Sequence, residues 1–227
     1  MTNTLWISIG WVLAAGLLGF GISALFSGWL RLSRRLFLLP YVVLSGLFIY
    51  AFALWSAIDF RSLLIENWIA GVIAGVLIAV FLVRNVRSQP GSRRSTGTEL
   101  VFDLAWLGLV YGLIDALFLN VMPVLAIWFG FAEFAWSATL LGKILVGVLA
   151  LAASLLVTLT YHLGYTEFRT RKVGLVMIGN TLITLAYLLS GNPLGAVISH
   201  VVMHLAAVMQ GPETTIQLPP HLSLQEN

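Results

Sequence analysis

Asp115, His162, His200 and His204 place titratable side chains inside otherwise apolar stretches of this sequence. His200 and His204 lie four apart in the run Gly191 to Gly211, so a helix projects both imidazoles from one face, about one turn apart. An ionisable group in hydrocarbon is costly; it normally faces a bundle interior or a water-filled cavity, where it marks a functional pathway. The spacing suits joint metal binding, as in the i, i+4 histidines of zinc helices, or one catalytic imidazole with a helper. There is no His-Glu-x-x-His, and Ser199 stands ready as a hydrogen-bond partner, so a purely structural pair is the alternative.

Asp115 falls near the middle of the apolar run that begins after Glu99. A lone carboxylate at that depth must be protonated, paired or hydrated. Gly108, Tyr111 and Gly112 share its face, which lets a neighbouring helix approach and offers a hydroxyl; Asn120 follows on the same run. Asp103 sits within two turns of the end, either solvated or paired with His162. Lys143 either snorkels to the interface or pairs with Asp115 or Glu133. Asn180 and Thr181 serve as interhelical glue or as ligand contacts. His162 lies about 39 Å of helical rise beyond Trp136, which sets it deeper along its run than Asp115 and His204 along theirs.

The elements that must hold these residues are membrane spans. Of 227 residues, 59% are hydrophobic and only 9% charged, and the mean hydropathy is +0.98, a polytopic membrane composition. The absence of cysteine excludes disulfides, thiolate catalysis and Cys-ligated metals. Seven apolar runs, at 5–29, 36–56, 66–83, 100–129, 136–161, 173–190 and 193–210, predict an all-α bundle of about seven transmembrane helices. Arg31, Arg34 and Arg35, then Arg84, Arg87, Arg93 and Arg94, then Arg169, Arg171 and Lys172 fall in alternate loops. The positive-inside rule therefore predicts an external N-terminus and a cytoplasmic C-terminus. Residues 1–210 form one domain, with 1–84 as scaffold spans and 99–210 as polar-site spans. Residues 85–98 read as a mobile basic cytoplasmic loop, and 211–227 as an extended cytoplasmic tail. Small residues at Gly10, Gly16, Gly19, Gly21, Gly71 and Gly75 invite close helix packing. The N-terminus lacks a basic signal-peptide n-region, so the first run is expected to be retained.

The order Asp115, His162, His200, His204 resembles the CAAX-protease and bacteriocin-processing family, intramembrane endopeptidases that include the type II CAAX prenyl proteases. The family's Glu-Glu-x-x-x-Arg motif corresponds here to Asp115-Ala-Leu-Phe-Leu-Asn120, its Phe-x-x-x-His to Thr158-Leu-Thr-Tyr-His162, and its His-x-x-x-Asn or Asp to His200-Val-Val-Met-His204. Asp-Ala stands for the paired glutamates, Asn120 for the arginine, Thr158 for the phenylalanine, and His204 at the last position. The resemblance implies Asp115 as general base on a water, with histidines donating to the developing oxyanion. A zinc site of His162, His200, His204 and Asp115 can be written from the same residues.

The expected function is an intramembrane endopeptidase or hydrolase with catalytic Asp115, His162, His200 and His204, supported by Asn120, Tyr111, Asp103 and Ser199. Zinc is the one cofactor the residues suggest. Partners are membrane lipid and a membrane-embedded peptide or lipidated substrate, not nucleic acid, in the plasma membrane of a prokaryote. The alternatives are a transporter or proton relay built on the same residues, and an inactive protease homologue that binds without cutting.

Overall fold

The computed structural model describes residues 3–222; residues 1–2, and 223–227 of the expected tail, lie outside the described residues. The described residues are all-helical, with no strand among them. Six helices are long and apolar enough to cross a membrane: α1 (Asn3–Trp29), α2 (Arg34–Ser56), α4 (Trp68–Arg87), α5 (Gly97–Phe131), α6 (Leu140–Gly164) and α7 (Lys172–Ser190). A short α3 (Phe60–Ile65) caps the turn between α2 and α4. The last apolar run forms α8 (Leu194–Gln210), 17 residues long, or about 25 Å against about 30 Å of hydrocarbon. These are the helices of an integral, multi-pass membrane protein.

Burial separates the centre from the shell. In the most apolar stretch of α5, 83% of residues are buried, against 28–33% in the other five long helices, so that stretch is enclosed by the other helices. Side chains such as Leu17, Leu140 and Leu189 face outward, where lipid suits them. The polar content of α5 is therefore directed at protein.

α8 packs along α4 and α5. A Cβ at Gly112 would stand 2.7 Å from the Val201 Cα and 3.3 Å from the His200 carbonyl, so glycine there sets how near α8 approaches. Gly71 and Gly75 of α4 do the same opposite Asn192 and Ile198, and Gly16 and Gly19 opposite Thr160 and Tyr161. Gly10 and Gly21 meet nothing within 4 Å; they face away from any neighbour and do not serve the packing expected of them. Both ends of α8 are pinned. Before it, Asn192 Nδ2 donates to the carbonyls of Leu63, Leu64 and Glu66 at 3.1, 3.1 and 2.6 Å. At its other end Gln210 Nε2 donates to the Gln89 carbonyl at 2.8 Å. α8 thus accompanies α4 from the Glu66 end to the Gln89 end.

The tail and the basic loop depart from expectation. Residues 211–222 fold back on the bundle, with Thr215 and Leu218 fully buried. The loop is tied down as well: Ser92 N–H donates to the Gln210 carbonyl at 3.2 Å, and its hydroxyl accepts from Glu213 N–H at 3.2 Å. At the opposite end Asp59 caps α3. The Ser62 hydroxyl first, then the Ser62 and Arg61 N–H groups, hold its carboxyl below the usual carboxylate range.

Candidate functional site

Asp115, His162, His200 and His204 line one cavity of about 130 Å³, together with Thr158, Asn180 and residues Ile216, Gln217 and Pro219 of the tail. Its wall on α4 and α7 includes Phe81, Leu175 and Ile178, side chains that are more than half exposed. The cavity therefore reaches the apolar flank of the protein.

The depth mismatch expected for His162 disappears once α5 is measured. At 35 residues it is about 52 Å long, well beyond the hydrocarbon thickness. Asp115 is central in that helix but not in the bundle. The site lies toward the end of the bundle that carries Arg34 and the tail, near the last turn of α6, where His162 is found.

Asp115 Oδ2 is 3.3 Å from His204 Nε2 and 3.7 Å from His200 Nε2, and one ligand atom from each of the three residues lies within 4.8 Å of the others. At zinc–ligand distances of about 2.0–2.2 Å, neighbouring ligands of a tetrahedral ion stand about 3.3–3.5 Å apart. Two edges of the cluster already approach that length. All three side chains are buried, and an ion there would screen groups that otherwise share a small dry space.

Their other atoms are held from outside. Asp115 Oδ1 accepts the Tyr41 hydroxyl at 2.5 Å. His200 Nδ1 faces Asn120 Oδ1 at 3.1 Å, and Asn120 Nδ2 donates to Asn180 Oδ1 and Thr184 Oγ1, both at 2.8 Å. That network assigns the proton of His200 to Nδ1 and turns the Nε2 lone pair toward Asp115. His162 Nδ1 is 2.8 Å from the Thr158 carbonyl, which places a proton there and leaves Nε2 for the cavity. Two buried polar atoms on lining residues, Thr158 Oγ1 and His204 Nδ1, have no hydrogen-bond partner.

The chain reaches this arrangement by departing from regular α-helix. Residues 116–121 of α5 form a π-type turn, whose i→i+5 closure brings residues five apart toward one face; in an α-helix Asp115 and Asn120 would diverge by about 140°. Pro123 follows and lacks an N–H for the Leu119 carbonyl, which accepts the Ser154 hydroxyl at 2.7 Å instead. Ser154 is thereby positioned within the Asn120–Asn180–Thr184 network.

The remaining expected residues separate into two groups. Tyr111 belongs to the site: its ring lies 4.8 Å from that of His204, and its hydroxyl is 2.9 Å from that of Tyr161 and 3.4 Å from that of Tyr165. Burial raises the Tyr165 phenol well above its ordinary pKa, keeping it neutral. Asp103 and Ser199 do not line the cavity. Arg35 grips Asp103 through Nε at 2.7 Å and a terminal nitrogen at 2.8 Å, with Ser95 at 2.6 Å. The Ser199 hydroxyl turns to its own helix, donating to the Gly195 carbonyl at 2.7 Å. Lys143 is exposed and pairs with neither Asp115 nor Glu133; Glu133 accepts from Thr4.

Sequence reasoning assigned α2 to scaffold and missed Tyr41, which is completely buried and touches the carboxylate directly. It also missed Ser154, Thr184 and the tail residues. A tyrosine about two turns into a span has a bland reading as anchor or packing residue, and only the tertiary fold shows its target.

This arrangement can bind a divalent cation, orient a water, and move protons between Asp115 and the histidines. Comparison of the chain with protein-family models, curated proteins and solved structures finds no match in any of the three.

Proposed function

We propose that this protein is an intramembrane hydrolase of the endopeptidase type, with zinc held by Asp115, His200 and His204. The observation that carries the reading is the three-residue cluster with its ligand atoms turned inward and their opposite faces tied to Tyr41 and Asn120. Three protein ligands leave the fourth tetrahedral position for water, the form catalytic zinc sites take. Zinc bound there would lower the pKa of that water to about 7. His162 Nε2, an acceptor while Nδ1 holds its proton against the Thr158 carbonyl, can take the proton the water loses and pass it on to the leaving group. Access from the α4/α7 flank suits a membrane-embedded peptide or a lipidated chain.

The topology goes with this reading. Seven crossings, an external N-terminus and a cytoplasmic C-terminus are supported by α8 accompanying α4 and by the basic loops gathering at the tail's end of the bundle. A prokaryotic plasma membrane is the setting we infer.

The test is elemental mass spectrometry of the detergent-purified protein. One zinc per chain, lost in His200→Ala/His204→Ala, together with peptide cleavage that Asp115→Asn abolishes without unfolding, is the expected result. Absence of metal from both would end the zinc reading.

A second reading rests on a separate observation: the hydroxyls of Tyr111, Tyr161 and Tyr165 adjoin one another, and Tyr41, stacked on Tyr161 at 5.0 Å, donates to Asp115. With a water joining the Tyr41 hydroxyl to this trio, such a set can relay protons in a transporter. It predicts pH-dependent solute flux and no cleavage of any peptide.

A further inference from the structure

The backbone of the segment after α8 is held by side chains that belong to four different parts of the fold, and Glu213, Gln217 and His221 add side-chain contacts to Arg34, Gln89 and Glu167. Gln89 Oε1 accepts from Ile216 N–H at 3.0 Å. Arg34, only 8% exposed, donates from Nε to the Leu218 carbonyl and from a terminal nitrogen to the Pro220 carbonyl at 3.1 Å. The Tyr111 hydroxyl points at the Pro219 carbonyl at 3.4 Å. Glu167 Oε2 accepts from His221 N–H at 2.8 Å. Contacts to main-chain N–H and C=O groups recognise a polypeptide backbone through groups that every sequence carries, here on a segment that runs through turns. A buried arginine with its donors aimed at carbonyls is costly to build for a tail that merely hangs from the protein.

The place of this segment matters. Ile216, Gln217 and Pro219 form one wall of the cavity that contains Asp115 and the histidines. With the tail seated, about 130 Å³ remains, room for a few water molecules or one small side chain rather than for a polypeptide.

We propose that Gln89, Arg34, Tyr111 and Glu167 form a main-chain-binding groove, and that the chain's own segment Gly211–Leu222 occupies it as a displaceable plug over the site. The plug competes with any other polypeptide segment presented to the groove. That such a segment is a substrate rests on the hydrolase reading above; that the groove binds it does not.

The probe is a fluorescein-labelled synthetic peptide with the sequence of residues 211–222, added in trans to the full chain in detergent and followed by anisotropy. Two variants loosen the plug without altering the groove: Leu218→Asp charges a fully buried side chain, and Gly211→Ala places a Cβ against Ser92 at a φ of +124°. A third locks it. The chain has no cysteine, so Gln89→Cys/Gln217→Cys, whose parent side chains meet at 3.0 Å, can be bridged selectively by a short bis-maleimide. Both loosened variants should bind the peptide at least about tenfold more tightly than wild type, since the fraction of open groove sets the apparent affinity. The double-cysteine protein should bind the peptide before bridging, which controls for the lost Gln89 acceptor, and should not bind it after. Equal binding by wild type, loosened and bridged forms, no binding by any form, or failure of the pair to bridge overturns the proposal. Because nothing is cleaved in the assay, loss of the hydrolase reading alone would leave the binding result intact.

Discussion

Tyr41 is the residue whose removal best separates holding from coordinating. Its hydroxyl touches only the outer oxygen of Asp115, so Tyr41→Phe leaves every candidate ligand in place and keeps the ring that packs on Tyr161. Loss of a hydrogen bond behind a metal ligand typically lowers metal affinity about 10–100-fold. Tyr41→Phe is therefore expected to lose zinc to a competing chelator at that ratio, with unchanged thermal stability in the presence of excess zinc. An unaltered affinity would mean that Asp115 does not ligate. Asn120→Leu should act similarly through His200, but with a larger loss of stability, because Asn180, Thr184 and Ser154 then lose a shared partner in a buried network. These two residues also mark what the sequence shows at this scale. Asp115 and the histidine pair stand out because charge in an apolar run is conspicuous. Asn120 could be read from the run it shares with Asp115. Tyr41 could not, since an aromatic about two turns into a span has a bland interpretation everywhere, and its partner lies 74 positions away.

At the scale of helices, length and apolarity made six spans legible, with the seventh run forming a shorter apolar helix. The distortions within α5 were not legible. The widened turn at 116–121 is a consequence of neighbours that supply alternative hydrogen bonds, Ser154 above all, and the only local hint is Pro123. The expected extended tail instead folds back in turns, because Arg34 and Glu167 capture its backbone. Helix approach was better judged. Gly112→Ala tests it directly, because the added methyl meets the backbone of Val201, which cannot rotate aside. Overpacking of this kind costs about 1–3 kcal/mol, read as a lower unfolding temperature in detergent. Since α8 carries both histidines, zinc affinity should fall with it. Gly147→Ala, on the same α6 that holds His162 but with open space at its Cβ position, should change neither.

For the whole molecule, the orientation is the claim with the widest consequences, because it decides which compartment meets the plug. The tail joins loops that follow α1, α4 and α6: Arg34 near the first, Gln89 and Ser92 in the second, Glu167 in the third. All therefore belong to one end, and that end carries most of the Lys and Arg. Basic residues are retained on the cytoplasmic side during insertion, so the gathered end should be the cytoplasmic one and the Phe131–Leu140 connection the external one. The cysteine-free chain permits a clean check with single substitutions at exposed positions, Arg93→Cys at the basic end and Ala135→Cys at the other. On intact bacterial cells a membrane-impermeant maleimide should label Ala135→Cys fully and Arg93→Cys only after permeabilisation. The reverse pattern would invert the molecule and put the plug outside. Labelling of both from outside would break the alternation itself, and with it the seven-crossing arrangement in which α8 returns the tail to the site.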